Sequence, residues 1–316
     1  MTSLITGITG FVGAHLIDLL KRRGQRIAGV DMWPAFSIDG VEYAPLSILD
    51  TAALTRFFAH VKPARIYHLA GVSYLPDADA TPRNALETNI LGLVAILDAA
   101  RSSCPRARVL VVGSSKEYGS GVASESIPET THPQPTDFYG ISKYAAELIG
   151  RQYVRQYGMD VRFSRSFNHT GPGQSPRFVC SDWARQIAAI ELKLQKPEIT
   201  VGDIRPHIDF SDVRDVSRAY RTILDKGEKG GIYNVCSGTP VSLEHVLGHL
   251  TAKCSRKVRI AGTAFKSRDH KASPRLAGDN SRLRKLGWKP RFAIEDTLDD
   301  LFAYWMRELA CRKPTS

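Results

Sequence analysis

The chain has 316 residues, 43% of them apolar, which is ample for one large domain or two with a substantial core. No apolar run approaches the roughly 18 residues that a membrane span needs, so no membrane association is expected. The formal charge of +11 is spread along the chain, with Lys21-Arg22-Arg23 as its longest cluster; without a recognition module this suits attraction of a small anion such as a dinucleotide or nucleotide diphosphate, not nucleic acid.

The N-terminus enters a strand pattern at once, Leu4-Ile5-Thr6, and lacks the basic start and longer apolar run of a signal peptide. Together with five scattered cysteines (Cys104, Cys180, Cys236, Cys254, Cys311), this predicts a reducing cytoplasm, no disulfide framework and no metal site. After the first strand come Gly7-Ile8-Thr9-Gly10-Phe11-Val12-Gly13 and a helical run over 14–23, with Gly24 as a C-cap. A second strand over 26–30 ends in Asp31. A helix over 49–61, a strand over 65–70, a long helix over 82–100, a strand over 108–112, a helix over 137–157 and a strand over 160–163 continue the alternation. Strands alternating with helices call for an α/β fold, a Rossmann-type doubly wound parallel sheet.

Beyond residue 165 the rhythm breaks at Pro172, Pro176, Pro197 and Pro206. A helix over 178–194, strands over 232–235 and 258–260, and helices over 243–252 and 294–309 are still legible. The expected organisation is an NAD-binding Rossmann domain over 1–165 and 207–237. A smaller, discontinuous C-terminal substrate domain takes 166–206 and 238–316.

Gly7, Gly10 and Gly13 follow a strand and open a helix, where missing side chains let the backbone approach a pyrophosphate and the helix N-terminus faces its charge. A carboxylate at the end of the second strand, Asp31, can bind both hydroxyls of an adenosine ribose and repels a 2′-phosphate. This favours NAD(H), while Arg22 or Arg23 leaves NADP(H) open. Gly113-Ser114-Ser115 lies directly after a strand, at the edge where such sheets bind ligands. Tyr139 and Lys143 share one helix face at i and i+4. A free phenol titrates near pH ~10, and a neighbouring ammonium is expected to pull that value down and make Tyr139 a usable acid/base.

The glycine loop, His68-Leu69-Ala70-Gly71, Thr88-Asn89-Ile90-x-Gly92, Ser114, Tyr139-x-x-x-Lys143 and Arg165-x-x-Asn168 together resemble the extended short-chain dehydrogenase/reductase family of nucleotide-sugar epimerases, dehydratases and reductases. The resemblance implies that Ser114 polarises the sugar C4 oxygen, Tyr139 is the acid/base, and Lys143 also holds the nicotinamide ribose. It implies cofactor contacts at Gly7, Gly10, Phe11, Val12, Gly13, Asp31, Met32 and Ile48, and further along at Leu69, Ala70, Gly71, Asn89 and Phe167. Substrate contacts are implied at Ser73, Ser115, Lys116, Asn168, Arg177, Val179, Arg205 and Arg268. The substrate would be a nucleotide-diphosphate sugar. The helices over 82–100 and 137–157 would pair with their copies as a four-helix homodimer interface.

Blocks around Arg165–Gln174, Asp209–Asp215, Tyr233–Gly238 and Gly287–Pro290 are similar to the subgroup that reduces GDP-4-keto-6-deoxymannose. The favoured reaction is therefore NAD(P)H-dependent reduction of the C4 ketone of a nucleotide-linked 4-keto-6-deoxyhexose. A 4-epimerase or 4,6-dehydratase on the same scaffold is the alternative. Related dehydratases carry a carboxylate two positions after the catalytic serine or threonine; here that position is Lys116, although Glu117 is adjacent. Two positions depart from the family pattern. Ile208 stands where an arginine usually contacts the diphosphate, with Arg205 nearby, and Ser47 stands where an aspartate often meets adenine. His132 and His169 are expected to be structural.

Overall fold

The computed structural model describes residues 1–34, 36–119, 126–262 and 275–311. Its centre is a parallel sheet of β1 (Thr2–Thr6), β2 (Arg26–Asp31), β3 (Val41–Pro45), β4 (Arg65–His68), β5 (Arg108–Ser114), β7 (Asp160–Ser166) and β11 (Ile232–Val235). The strand order is β11-β7-β5-β4-β1-β2-β3. The chain leaves β1 in both directions along the sheet, so the loops after β1 and β4 face each other across the switch point, where such folds bind ligands. All five residues of β1 are buried, as expected of a strand covered on both faces.

One face packs against the helices Thr51–Val61, Gly92–Ser103 and Phe138–Tyr157, through Leu54, Phe58, Leu93, Ile96 and Ala146. The other packs against Phe11–Lys21 and Val213–Lys226, through Leu16, Leu20, Val216, Tyr220 and Ile223. The sequence reading overlooked the Val213–Lys226 helix. Its apolar residues recur at helical spacing, but they are interleaved with Arg214, Asp215, Arg218 and Arg221.

The expected helix over 82–100 is not continuous. It runs as Pro82–Leu86, opens into a π-helical turn at Glu87–Leu91, and resumes as Gly92–Ser103. Asn89, inside that turn, binds sideways: its Oδ1 accepts the Val72 N–H (2.8 Å), and its Nδ2 donates to Val72 O (3.1 Å) and Ser142 Oγ (2.9 Å). A side chain that bridges to a loop and a second helix accounts for a local widening of this kind.

The remaining strands are β6 (Ser126–Ile127), β8 (Asn168–Thr170), β9 (Glu198–Val201), β10 (His207–Asp212), β12 (Pro240–Ser242), β13 (Arg259–Gly262) and β14 (Arg275–Gly278). They form a small sheet ordered β12-β10-β14-β6 with β8 on β10, and a separate β13-β9 pair. A third core joins the helices Val179–Glu191, Leu243–Thr251 and Ile294–Cys311 through Trp183, Ile187, Leu247, Leu301 and Trp305. No helix among the described residues is long and apolar enough to cross a membrane.

Candidate active site

The loops beyond the carboxyl ends of β1, β2, β4, β5 and β7 surround a cleft of about 810 Å³, within the usual size of a cofactor or substrate site. At one end lies the glycine loop. Gly7 has φ +68°, and a Cβ there would stand 2.7 Å from Ala70 N, so the first loop can approach the fourth strand only without a side chain. A Cβ on Gly13 would stand 2.3 Å from Ile8 O. The helix Phe11–Lys21 begins at Gly10 with no side-chain cap. Its first N–H groups are therefore open to an anion, with the helix dipole behind them. Asp31 Oδ2 accepts from Thr9 N (3.1 Å) and Thr9 Oγ1 (2.6 Å), tying the end of β2 to the loop. This cradle fits a dinucleotide pyrophosphate and ribose.

At the other end, β5 delivers Ser114 and the helix Phe138–Tyr157 delivers Tyr139 and Lys143 to the same wall. Asp137 caps that helix by accepting the Gly140 N–H (2.7 Å), which starts it one residue before Tyr139. Ser142 Oγ donates to Tyr139 O (2.7 Å) and accepts from Asn89, so the π-turn braces the same helix from behind. Burial pushes the Tyr139 phenol up to about 12; a hydrogen bond with Ser114 pulls the other way, and the charges of Glu117 and Asp137 push it up further. Burial pulls the Lys143 ammonium down to about 8, opposed by Glu117. Lys143 Nζ donates to Val112 O (3.0 Å) and lies 5.9 Å from the centre of the Tyr139 ring. The expectation that Lys143 pulls Tyr139 down is thus not met. The ammonium points at a backbone carbonyl, and the dryness of the site outweighs it. His68 shares a hydrogen bond with Thr6 Oγ1 (2.8 Å) and is driven to about 3 by burial and then by Lys143, so it is a neutral brace.

Of the residues expected to contact cofactor, all but Asn89 line the cleft; Asn89 stands behind it as the brace described above. Of those expected to contact substrate, Ser73, Lys116, Asn168 and Val179 line the cleft, and Ser115, Arg177 and Arg205 do not. Arg177 is paired with Asp77 (Nη1–Oδ2 2.9 Å) and lies 3.9 Å over the Tyr74 ring. Arg205 pairs with Asp203 (2.9 Å). Arg268 falls outside the described residues. Among the described residues of the wall, Lys116 and Lys143 are the lysine or arginine side chains and Asp31 is the carboxylate.

The sequence reading missed Tyr74, Leu75, Pro76 and Phe178, which line the cleft, with Tyr74 meeting Phe178 edge-on (5.4 Å). The helix Leu75–Ala80, with Pro76 in its first turn, was the available signal. It also missed the stack of Phe11 on His169 (6.1 Å, 7°), which joins the glycine loop to the segment after β7. His169 Nδ1 donates to Phe167 O (3.1 Å), and burial lowers its pKa, in keeping with the structural role expected of it.

The family model for GDP-mannose 4,6-dehydratases matches residues 4–301. GDP-6-deoxy-D-mannose reductase of Pseudomonas aeruginosa is 33% identical over 304 residues, covering 95% of this chain and 96% of that protein. UDP-glucuronate 4-epimerase 1 of Arabidopsis thaliana is 26% identical over 341 residues, covering 96% and 76%. The solved structure of RMD from Pseudomonas aeruginosa complexed with NADPH superposes with a TM-score of 0.86 at 32% identity, covering 97% of this chain and 99% of that one. The chain belongs to the GDP-mannose 4,6-dehydratase family, within the extended short-chain dehydrogenases/reductases, and is an NAD(P)-dependent nucleotide-sugar enzyme.

Proposed function

We propose that this protein reduces the C4 ketone of a nucleotide-linked 4-keto-6-deoxyhexose, with conversion of GDP-4-keto-6-deoxymannose to GDP-rhamnose as the best fit. The bound nicotinamide supplies the hydride that C4 receives. Ser114 donates a hydrogen bond to the ketone oxygen. Tyr139 gives its phenolic proton to that oxygen as it becomes an alkoxide, and the Lys143 ammonium, held on Val112 O, keeps a positive charge on the same wall. Solvent then restores the proton.

The observation that carries this reading is which charged groups face the reacting end of the cleft. Lys116 lines the wall at the position of the dehydratase carboxylate, while Glu117 is fully buried and faces away. Removing a C5 proton and expelling the C6 hydroxyl needs additional acid/base groups, and the described wall offers no carboxylate near Ser114 to supply them. The P. aeruginosa reductase, related at 33% identity, supports the same assignment.

NADH is the favoured reductant. Asp31 stands at the ribose end, and the segment that follows it, residues 32–40, contains no lysine or arginine to receive a 2′-phosphate. The exposed Leu91, Ile141 and Leu148 favour pairing of the two long helices with a second copy.

The test is NADH absorbance on adding enzyme to freshly made GDP-4-keto-6-deoxymannose, with NADPH in parallel. Consumption of NADH ahead of NADPH is expected. No consumption with either cofactor overturns the reductase assignment.

A further inference from the structure

On the far side of the Ser114–Tyr139 wall, three charged side chains are sealed inside the protein. Glu117, Glu147 and Arg165 are 0%, 2% and 2% exposed. Arg165 forks onto Glu147 (Nε–Oε2 2.9 Å, Nη2–Oε1 2.9 Å) and reaches Glu117 Oε2 at 3.4 Å. Glu117 Oε1 accepts the backbone N–H of Ser114 at 2.7 Å. Gly113 makes room for that contact, since a Cβ there would lie 2.2 Å from Glu117 Oε1.

Arg165 has its fork spent on Glu147, which the half-exposed Arg151 guanidinium also approaches (3.7 Å), and this leaves Glu117 a single ion-pair contact, to Arg165 at 3.4 Å, for a charge that has given up its water. A carboxyl so placed is relieved if it keeps its proton. Burial and the charge of Glu147 raise Glu117 to about 8, against the Ser114 N–H and Arg165, and its Oε2 has no hydrogen-bond partner among the described residues. Glu117 is therefore pushed toward its protonated form.

We propose that Glu117 is a positioning residue of the reducing site: a buried, neutral carboxyl that grips Ser114 from behind, itself held in place by Glu147 and Arg165. The proposal rests on the roles given above to Ser114 and Tyr139. The grip sets the turn in which Ser114 Oγ also accepts the Lys116 N–H (3.2 Å), and so the direction from which the hydroxyl meets Tyr139 and a ketone. Neutrality matters as well, because a charge on Glu117 acts on both neighbours, raising Tyr139 and Lys143. The other charged or titratable groups around this network are Arg151 beside Glu147 (3.7 Å), Asp137 beside Tyr139, His68 beside Lys143, Tyr220 on the Val213–Lys226 helix, and Tyr118 and Glu129 beside Arg165.

The experiment compares Glu117→Gln and Glu117→Ala with the wild-type enzyme, with Tyr139→Phe alongside. NADH oxidation is measured from pH 6 to 9.5, and cofactor binding and melting curves are recorded for each. Gln keeps the acceptor for the Ser114 N–H and carries no charge, so it mimics the neutral acid. At pH 7 the Ala variant is expected to lose roughly 10-fold or more in kcat with KM unchanged, while Gln stays within about twofold of wild type. Above neutrality Gln cannot ionise and cannot hold Tyr139 or Lys143 up, so the basic limb of its kcat profile moves to lower pH. A Gln variant as impaired as Ala at pH 7, or wild-type kcat and pH profile in both, overturns the proposal. If Ala does not fold, an unmoved basic limb in Gln does so alone. If Tyr139→Phe retains turnover, the reaction assignment falls and this proposal with it; if it is inactive while Ala is unaffected, only this proposal falls.

Discussion

The two ends of the cleft are built by opposite means. The cofactor end is mostly backbone: a glycine loop whose close approaches leave no room for a Cβ, an uncapped helix N-terminus, and one carboxylate that locks the loop in place. The other end is mostly side chains brought from distant segments, and two arginines expected to serve it stand outside its wall, Arg177 paired with Asp77 and Arg205 with Asp203. A backbone-built site is rigid and intolerant of added atoms. A site built from long, exposed side chains can exchange partners, because such ion pairs are individually weak.

The two ends meet at Tyr139, and the largest effect is expected there. Tyr139→Phe keeps the shape of the wall and removes the proton, so kcat should fall by about 10²–10⁴-fold while NADH still binds; stopped-flow turnover beside fluorescence titration of cofactor checks both. The rigidity of the cofactor end can be broken directly. Gly13→Ala places a methyl 2.3 Å from Ile8 O, a backbone atom that cannot rotate away. It should cost about 1–3 kcal/mol of stability and abolish tight NADH binding, read by thermal melting with and without cofactor. A variant with unchanged melting and affinity would mean the loop is softer than its contacts imply.

The pH profile tests the junction from another side. Lys143, lowered to about 8, is charged below that pH and neutral above it. Turnover should therefore decline as pH rises through 8, since the reacting end of the cleft then loses a positive charge from its wall. The mildest change sharpens the account of the substrate end. Asp77→Ala frees Arg177 from its partner. If the pair is a resting place for an arginine that goes on to bind diphosphate, KM for the nucleotide sugar should fall a few-fold with kcat unchanged; a rise in KM would instead identify the pair as a clasp for the mouth of the cleft.

What was legible in the sequence follows the same division. The alternation of apolar strands with helices announced the parallel sheet. The triplet Gly7, Gly10 and Gly13 announced the turn, because local backbone geometry is dictated by residues a few positions apart. The i, i+4 spacing of Tyr139 and Lys143 put both on one helix face, and both line the cleft. It could not reveal that the lysine turns to Val112 O, which lies 31 positions away. The helix over 82–100 reads as continuous from propensity, and only Asn89 reaching back to Val72 explains its π-turn. The Val213–Lys226 helix was hidden by its arginines and acids, many of which pair once the chain is folded.

The sequence by itself determined the sheet, the glycine turn that opens the first helix and the shared helix face of Tyr139 and Lys143, since each is encoded by spacing along a regular element. Tertiary structure alone decided that Lys116 faces the cleft while Glu117 faces the protein interior, and that Arg177 finds Asp77 across 100 residues. The direction a side chain takes, and the water it gives up in taking it, depend on neighbours that only the folded chain brings together.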